Sequence, residues 1–237
     1  MRTVELSLSL YQLRFDVGHA YLWRDADDSL TLIDTGTVGS GEAIAESIRG
    51  LGLGPEQLRR VVVTHAHQDH TGALAEIAAW GGEVTVMAHR LEAPLIRGES
   101  PAAEPVFDQS PDWERALYEN MPPLPPAPPA RVDRELADGD VLDFGGGAQV
   151  IGVPGHTDGS IALYLPGPGV VFTGDAAANV EGRTMLGVFN VARDRAVASL
   201  RKLADLGAET ACFGHGEPLT RGASAALRTA EIPVRES

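Results

Sequence analysis

The segment Thr64-His65-Ala66-His67-Gln68-Asp69-His70 places three imidazoles and a carboxylate within six positions. Imidazole nitrogen and carboxylate oxygen are the donor set of Zn2+ and related borderline cations. The cluster follows the apolar run Val61-Val62-Val63, so it lies where a buried strand opens into a loop. In an extended loop His65 and His67 point the same way and can share one ion, whereas Asp69 and His70 begin the next helix and can face a second. Two more histidines have a similar setting: His156 in Pro154-Gly155-His156-Thr157 and His215 in Gly214-His215-Gly216, each just past an apolar run. Asp175 closes Thr173-Gly174-Asp175 in the same manner. A neighbouring glycine lets the backbone turn sharply enough for a short side chain to reach an ion. Asp34, in Leu32-Ile33-Asp34-Thr35-Gly36, also stands at a strand end and suits a carboxylate that grips a ligand histidine from behind. The remaining histidines, His19 and His89, are expected to be packed or hydrogen-bonded, and Cys212 to be a small buried hydrophobe.

Positioning such groups takes strands that end together. Leu6, Leu8 and Leu10 alternate with Ser7 and Ser9, a period that predicts one half-buried strand. Residues 17–23 and 29–33 predict two more around the turn Asp25-Ala26-Asp27-Asp28. Residues 41–49 have helical spacing (Ala43, Ile44, Ile48) and are stopped by Gly50, Gly52 and Gly54. A strand over 61–63, a helix over 72–80 ended by Gly81-Gly82, and a strand over 83–88 complete a β-β-β-α-β-α-β first half. Residues 98–130 then hold nine of the chain's 16 prolines. Proline lacks an N–H and fixes φ, so 121–130 is neither helix nor interior strand but an extended surface crossing, preceded by a short helix over 112–119. Beyond it, strands are expected over 132–136, 149–153, 161–165 and 170–173. An amphipathic helix follows over 194–206, closed by Gly207. No linker splits the chain, so the expectation is a single domain over 1–237 with two sheets and a Pro-rich, lid-like insertion at 98–130.

Composition narrows the partners. Nineteen Lys+Arg against 33 Asp+Glu give a net charge of −14, which disfavours nucleic acid and anionic membranes. The acidic surplus is expected to be solvated surface. One cysteine excludes an intramolecular disulfide and any Cys-rich zinc module. No apolar run nears the roughly 18 residues of a membrane span, and Met1-Arg2-Thr3-Val4-Glu5-Leu6 shows no apolar signal region. A cytoplasmic protein acting on a small molecule is the expectation.

His65-x-His67-x-Asp69-His70, followed in order by His156, Asp175 and His215, resembles the metallo-β-lactamase-fold hydrolase superfamily. The resemblance runs from Asp34-Thr35-Gly36 to Gly214-His215-Gly216. It implies an α/β fold, an αββα sandwich of two mixed sheets with helices on the outer faces and two metal ions in a cleft at one edge of the sheets. It further implies that His65, His67 and His156 hold one ion, that Asp69, His70 and His215 hold the other, and that Asp175 bridges both. Two Zn2+ per chain are then expected, with Fe or Mn accepted by the same donors. The implied chemistry is hydrolysis of a small ester, lactone, thioester or amide by a metal-bridging hydroxide. Asp69 and Asp175 are the catalytic carboxylates, and Asp69 also steers the proton. Such a centre lowers the pKa of water from about 16 to about 7. The alternatives are a mononuclear-iron dioxygenase resembling the persulfide dioxygenases and a non-catalytic ligand-binding module on the same fold.

Departures from known branches bear on substrate. Glyoxalase II enzymes carry a C-terminal helical domain with basic residues for glutathione, whereas 22 residues follow His215 here, so that platform is expected to be missing or built otherwise. Acyl-homoserine lactonases place a tyrosine soon after the bridging aspartate, where this chain has Ala176-Ala177-Ala178-Asn179. RNA-processing members add nucleic-acid-binding parts, and flavodiiron proteins replace a motif histidine by glutamate; neither pattern is present. Substrate selection is therefore expected to fall to the insertion, through Phe107, Trp113 and Tyr118, and to the loop after Asp175, through Phe189. Pinning of the insertion to the body by the same aromatics is the competing expectation.

Overall fold

The computed structural model of the chain describes residues 1–80 and 83–235, which fall into two compact units. The first comprises Met1–Ala102, Leu124–Leu136 and Leu142–Gly147. The second comprises Ala103–Pro123, Ala137–Val141 and the chain from Ala148 onward.

In the first unit, β1 (Arg2–Ser7) and β2 (Leu10–Arg14) pair antiparallel with Ser7 opposite Leu10. The single strand expected over Leu6 to Leu10 is thus a hairpin. The Ser7 hydroxyl accepts the Ser9 N–H and turns the chain, leaving Leu8 86% exposed at the tip. β3 (His19–Arg24), β4 (Leu30–Ile33), α1 (Gly41–Gly50), a 3-10 turn (Pro55–Gln57) and β5 (Leu58–Val63) follow. The helix expected over 72–80 starts earlier and is broken into α2 (Gln68–Thr71) and α3 (Leu74–Ala78). Its expected stop, Gly81-Gly82, lies outside the described residues. β6 (Thr85–His89), α4 (Ala93–Ile96) and β7 (Arg134–Leu136) complete the unit.

Its sheet has the order β1-β2-β3-β4-β5-β6-β7, antiparallel up to β4 and parallel from β4 to β7. Leu22, Leu32, Val61, Val63 and Val86 are buried in one core with Ile44 and Ile48 of α1 and Leu74 and Ile77 of α3. Each such side chain contributes about 1.5–3 kcal/mol by leaving water. Asp34 and His65 lie just past the C-terminal ends of the parallel neighbours β4 and β5, the edge at which open α/β sheets bind ligands.

The second unit holds α5 (Asp112–Asn120), Val141 of β8 (Val141–Leu142), β9 (Ala148–Gly152), β10 (Ile161–Leu165), β11 (Val170–Gly174), β12 (Ala177–Val180), β13 (Arg183–Leu186), α6 (Arg193–Ala204), β14 (Thr210–Phe213) and α7 (Ala223–Arg228). Its sheet runs β14-β11-β10-β9-β8, with β9 and β11 both antiparallel to β10 and β14 parallel to β11. β9, β11 and β14 therefore share one direction, and the segments that follow them carry His156, Asp175 and His215 at one edge. The β12–β13 hairpin replaces what reads as loop. Its turn residues Glu181 and Gly182 both have positive φ (52° and 78°), but Glu-Gly lacks the Asn-Gly or Asp-Gly signature of such turns. Residues 121–130 carry neither helix nor strand, as their prolines require. Among the described residues no helix is long and apolar enough to cross a membrane.

Candidate functional site

In the first unit the histidine cluster is built on one carboxylate. Asp34 adopts a φ of 59°, in the left-handed region that Asp tolerates better than most residues. Its Oδ1 accepts the Thr64 N–H at 2.7 Å, and its Oδ2 accepts both the Thr64 hydroxyl at 2.8 Å and His70 Nδ1–H at 2.8 Å. A hydroxyl that donates to Asp34 has its oxygen available as an acceptor, so His65 Nδ1, 3.1 Å away, is the donor in that contact. Asp34 thus fixes two tautomers, one directly and one through Thr64. In both rings Nε2 keeps its lone pair. His65 Nε2 lies 3.1 Å from His67 Nδ1, and His70 Nε2 lies 3.7 Å from Asp69 Oδ2. His67 caps α2, whose first turn carries Asp69 and His70, and its carbonyl accepts the Thr71 hydroxyl at 2.9 Å. The intervening loop is anchored by Glu92, a buried glutamate whose Oε2 accepts the Ala66 N–H at 2.8 Å.

In the second unit Asp175 Oδ2 stands 3.2 Å from His215 Nε2 and 3.6 Å from His156 Nε2. The Val188 carbonyl can only accept, so His156 Nδ1, 2.9 Å from it, donates and Nε2 again keeps the lone pair. Two glycines make these loops feasible. Gly155 has φ +139°, and a Cβ there would lie 2.2 Å from the Ala196 nitrogen, so only glycine lets the His156 loop lie against the start of α6. Gly216 has φ +90°, and a Cβ would meet the Asn179 carbonyl at 1.9 Å. Asn179 in turn donates through its N–H to the His215 carbonyl at 3.3 Å and through Nδ2 to the Glu217 carbonyl at 2.7 Å.

These donor sets suit divalent cations. Ligand nitrogens about 2.0–2.1 Å from a tetrahedral ion lie roughly 3.3–3.4 Å apart, and the facing pairs here are 3.1–3.7 Å apart. Each histidine with a defined tautomer presents Nε2 while its Nδ1–H is held by an oxygen, the arrangement that orients metal-bound imidazoles.

The remaining residues of interest divide. Phe107, Tyr118 and Phe189 form one aromatic cluster, with centroids 5.4 Å apart for Phe107–Tyr118 and 5.2 Å for Tyr118–Phe189. The Tyr118 hydroxyl donates to Glu104 at 2.7 Å, a bond to the neutral phenol that holds its pKa above the ordinary value. Trp113 is 45% exposed. His19 is buried at the start of β3, and His89 is half-buried at the end of β6. Cys212 is a buried free cysteine in β14, and burial pushes its thiol pKa up. Sequence reasoning missed Thr64, Glu92, Glu114 and Arg193. The two glutamates belong to the acidic surplus expected at the surface, yet both are buried.

Comparison with known proteins agrees with this chemistry. A family model described as the metallo-beta-lactamase superfamily matches residues 13–215. The probable metallo-hydrolase YflN of Bacillus subtilis (strain 168) is 32% identical over 212 residues, which cover 81% of this chain and 77% of the relative. The hydroxyacylglutathione hydrolase of Rhodobacter capsulatus is 31% identical over 202 residues, covering 83% of this chain but 61% of that enzyme. Among solved structures, the metallo-beta-lactamase family protein TTHA1429 from Thermus thermophilus superposes with a TM-score of 0.66 at 26% identity, covering 95% of this chain and 79% of that one. TTHA1623, solved in a di-iron-bound form, gives 0.65 at 29% identity, covering 91% and 96%. The chain belongs to the metallo-beta-lactamase superfamily and has its α/β fold.

Proposed function

We propose that this protein, a hydrolase of the metallo-beta-lactamase superfamily, uses two divalent ions, zinc in the first instance, to hydrolyse a small ester, lactone, thioester or amide. His65, His67 and His156 would hold one ion, Asp69, His70 and His215 the other, and Asp175 both; this division comes from the superfamily resemblance. The observation that carries the reading is the fixed tautomer of His65, His70 and His156, each with Nδ1–H donated to an oxygen and the ring's lone pair therefore on Nε2. When bound, the ions would supply an activated water and a Lewis acid for the substrate oxygen.

The chain's own residues do the rest. Asp34 and Thr64 hold His65 and His70 in register, the Val188 carbonyl holds His156, and Asp69, half-buried beside His70, is the carboxylate proposed to take up and pass on the proton released in hydrolysis. A thioester is favoured within this substrate class by the hydroxyacylglutathione hydrolases among the relatives. A net charge of −14 favours a small molecule over a polyanion. Phe107, Trp113, Tyr118 and Phe189 are proposed as the walls that select the acyl group.

Elemental analysis of the purified protein, with a panel of thioesters, lactones and esters, tests the proposal. The expected result is about two zinc ions per chain, with thioester hydrolysis lost on chelation and restored by zinc. One iron per chain with thiol-dependent oxygen uptake would overturn it in favour of the dioxygenase reading, and iron in both sites with hydrolysis intact would revise the metal alone.

A further inference from the structure

We infer that Glu114, on helix α5 of the Pro-rich insertion, is a positioning residue for His156, acting through the single peptide group that joins Val188 to Phe189. The inference rests on the proposed metal-binding role of His156.

The connection is direct. The carbonyl of that peptide accepts His156 Nδ1–H at 2.9 Å, and its N–H donates to Glu114 Oε1 at 2.7 Å. A carboxylate that accepts the N–H polarises the whole group and makes its carbonyl a stronger acceptor, because hydrogen bonds in series reinforce one another at low dielectric. A stronger acceptor at Nδ1 makes the imidazole a better donor at Nε2. The side chain of Glu114 is only 2% exposed, so its charge acts in that dielectric rather than in water.

The surroundings show that the peptide is held in place rather than merely touched. Phe189 has φ 59°, a conformation its β-carbon disfavours and one that persists only where neighbours impose it. Its ring packs against Tyr118 of the same insertion helix, and Asn190 Nδ2 donates to the Gly187 carbonyl at 2.7 Å. Arg193, with a side chain 6% exposed, balances Glu114 at 3.1 Å and also donates to Ser110 and to the Pro233 carbonyl. The chain between these two clamps returns to the histidine, where the Val191 N–H donates to the His156 carbonyl and the Ala192 N–H to the Gly155 carbonyl. A buried ion pair needed only to tether the insertion would not require its carboxylate to meet the one N–H whose carbonyl faces a ligand histidine.

The test uses the full chain with zinc as the probe. Glu114→Gln keeps an acceptor for the Phe189 N–H but removes the charge. The readouts are zinc affinity by chelator competition and the Nδ1–H proton resonance of His156, assigned by its loss in His156→Ala. The expected result is an affinity about tenfold or more weaker, with the resonance moved upfield and exchanging faster with water. If the single variant does not fold, Glu114→Gln combined with Arg193→Met, which leaves no unpaired buried charge, carries the same expectation. A lower melting temperature with affinity and resonance both unmoved would overturn the inference and leave the pair as a tether. Wild-type zinc affinity in His156→Ala would overturn the metal-binding reading beneath it, which separates the two failures.

Discussion

Replacing Asp34 by asparagine removes the charge of the acceptor that orients His65 and His70 while changing almost no volume. The carboxylate accepts three donors, the Thr64 N–H at 2.7 Å and the Thr64 hydroxyl and His70 Nδ1–H at 2.8 Å each. An amide has one accepting oxygen and one donating nitrogen, so at least one donor must face another donor. The cheaper orientation turns the amide nitrogen toward the Thr64 N–H. Stranding that buried group costs about 1–3 kcal/mol. The two surviving bonds fall from charge-assisted to neutral strength, at about 1 kcal/mol each. The metal-free protein should therefore lose about 3–5 kcal/mol in denaturant unfolding, a large share of the 5–15 kcal/mol typical of a domain. The opposite orientation strands both the Thr64 hydroxyl and His70 Nδ1–H and costs more. In the cheaper orientation both tautomers are held only by neutral bonds and in the opposite one they are released, so in either case zinc affinity, read by chelator competition, should fall about 10–100-fold. At 1.4 kcal/mol per decade that is roughly 1.4–2.8 kcal/mol of binding energy. If stability falls as stated while zinc affinity holds, Asp34 braces the fold without orienting a ligand, and the tautomer reasoning is wrong.

Two further outcomes are expected. Gly155→Ala puts a Cβ 2.2 Å from the Ala196 nitrogen at a φ of +139° and should cost roughly 2–5 kcal/mol in chemical denaturation; a loss within about 0.5 kcal/mol would show that the loop relaxes freely. Cys212 is fully buried and its pKa is raised by desolvation, so an aromatic disulfide reagent at pH 8 should leave the native protein untouched and titrate one thiol after unfolding. Because the folded pKa lies above the unfolded one, this thiol's contribution to stability is complete below the ordinary thiol range and is lost as pH rises beyond it; rapid labelling of native protein would contradict the burial.

The ligand candidates were legible because their chemistry is local in sequence. His65, His67, Asp69 and His70 follow one β-branched strand, and His156, Asp175 and His215 each stand beside a glycine past another, so residue type and spacing are enough to mark them. Strand boundaries were less legible. The Leu/Ser alternation continues unbroken through the turn at Leu8-Ser9, since a two-residue turn does not disturb a period of two. The β12–β13 hairpin turns at Glu181-Gly182, whose positive φ values Glu does not advertise.

What orients the candidate ligands is of another kind. Asp34 reaches Thr64 and His70 across 30 and 36 residues, His156 reaches Val188 across 32, and Glu114 reaches Phe189 across 75. Of these partners Asp34 alone betrays itself in the sequence, because it shares the strand-end setting of the candidate ligands. Glu114 sits between Asp112 and Glu119 on a helix that reads as a solvated acidic face, and only burial distinguishes it. Val188 acts through its carbonyl, which every residue type possesses, so no side-chain pattern could have marked it. Side-chain identity can show which atoms are able to bind a metal, but which nitrogen of an imidazole carries the lone pair is decided by acceptors that only the fold brings within 3.1 Å. Substitution at Val188 should accordingly be tolerated better than substitution at Glu114, although both touch the same peptide group.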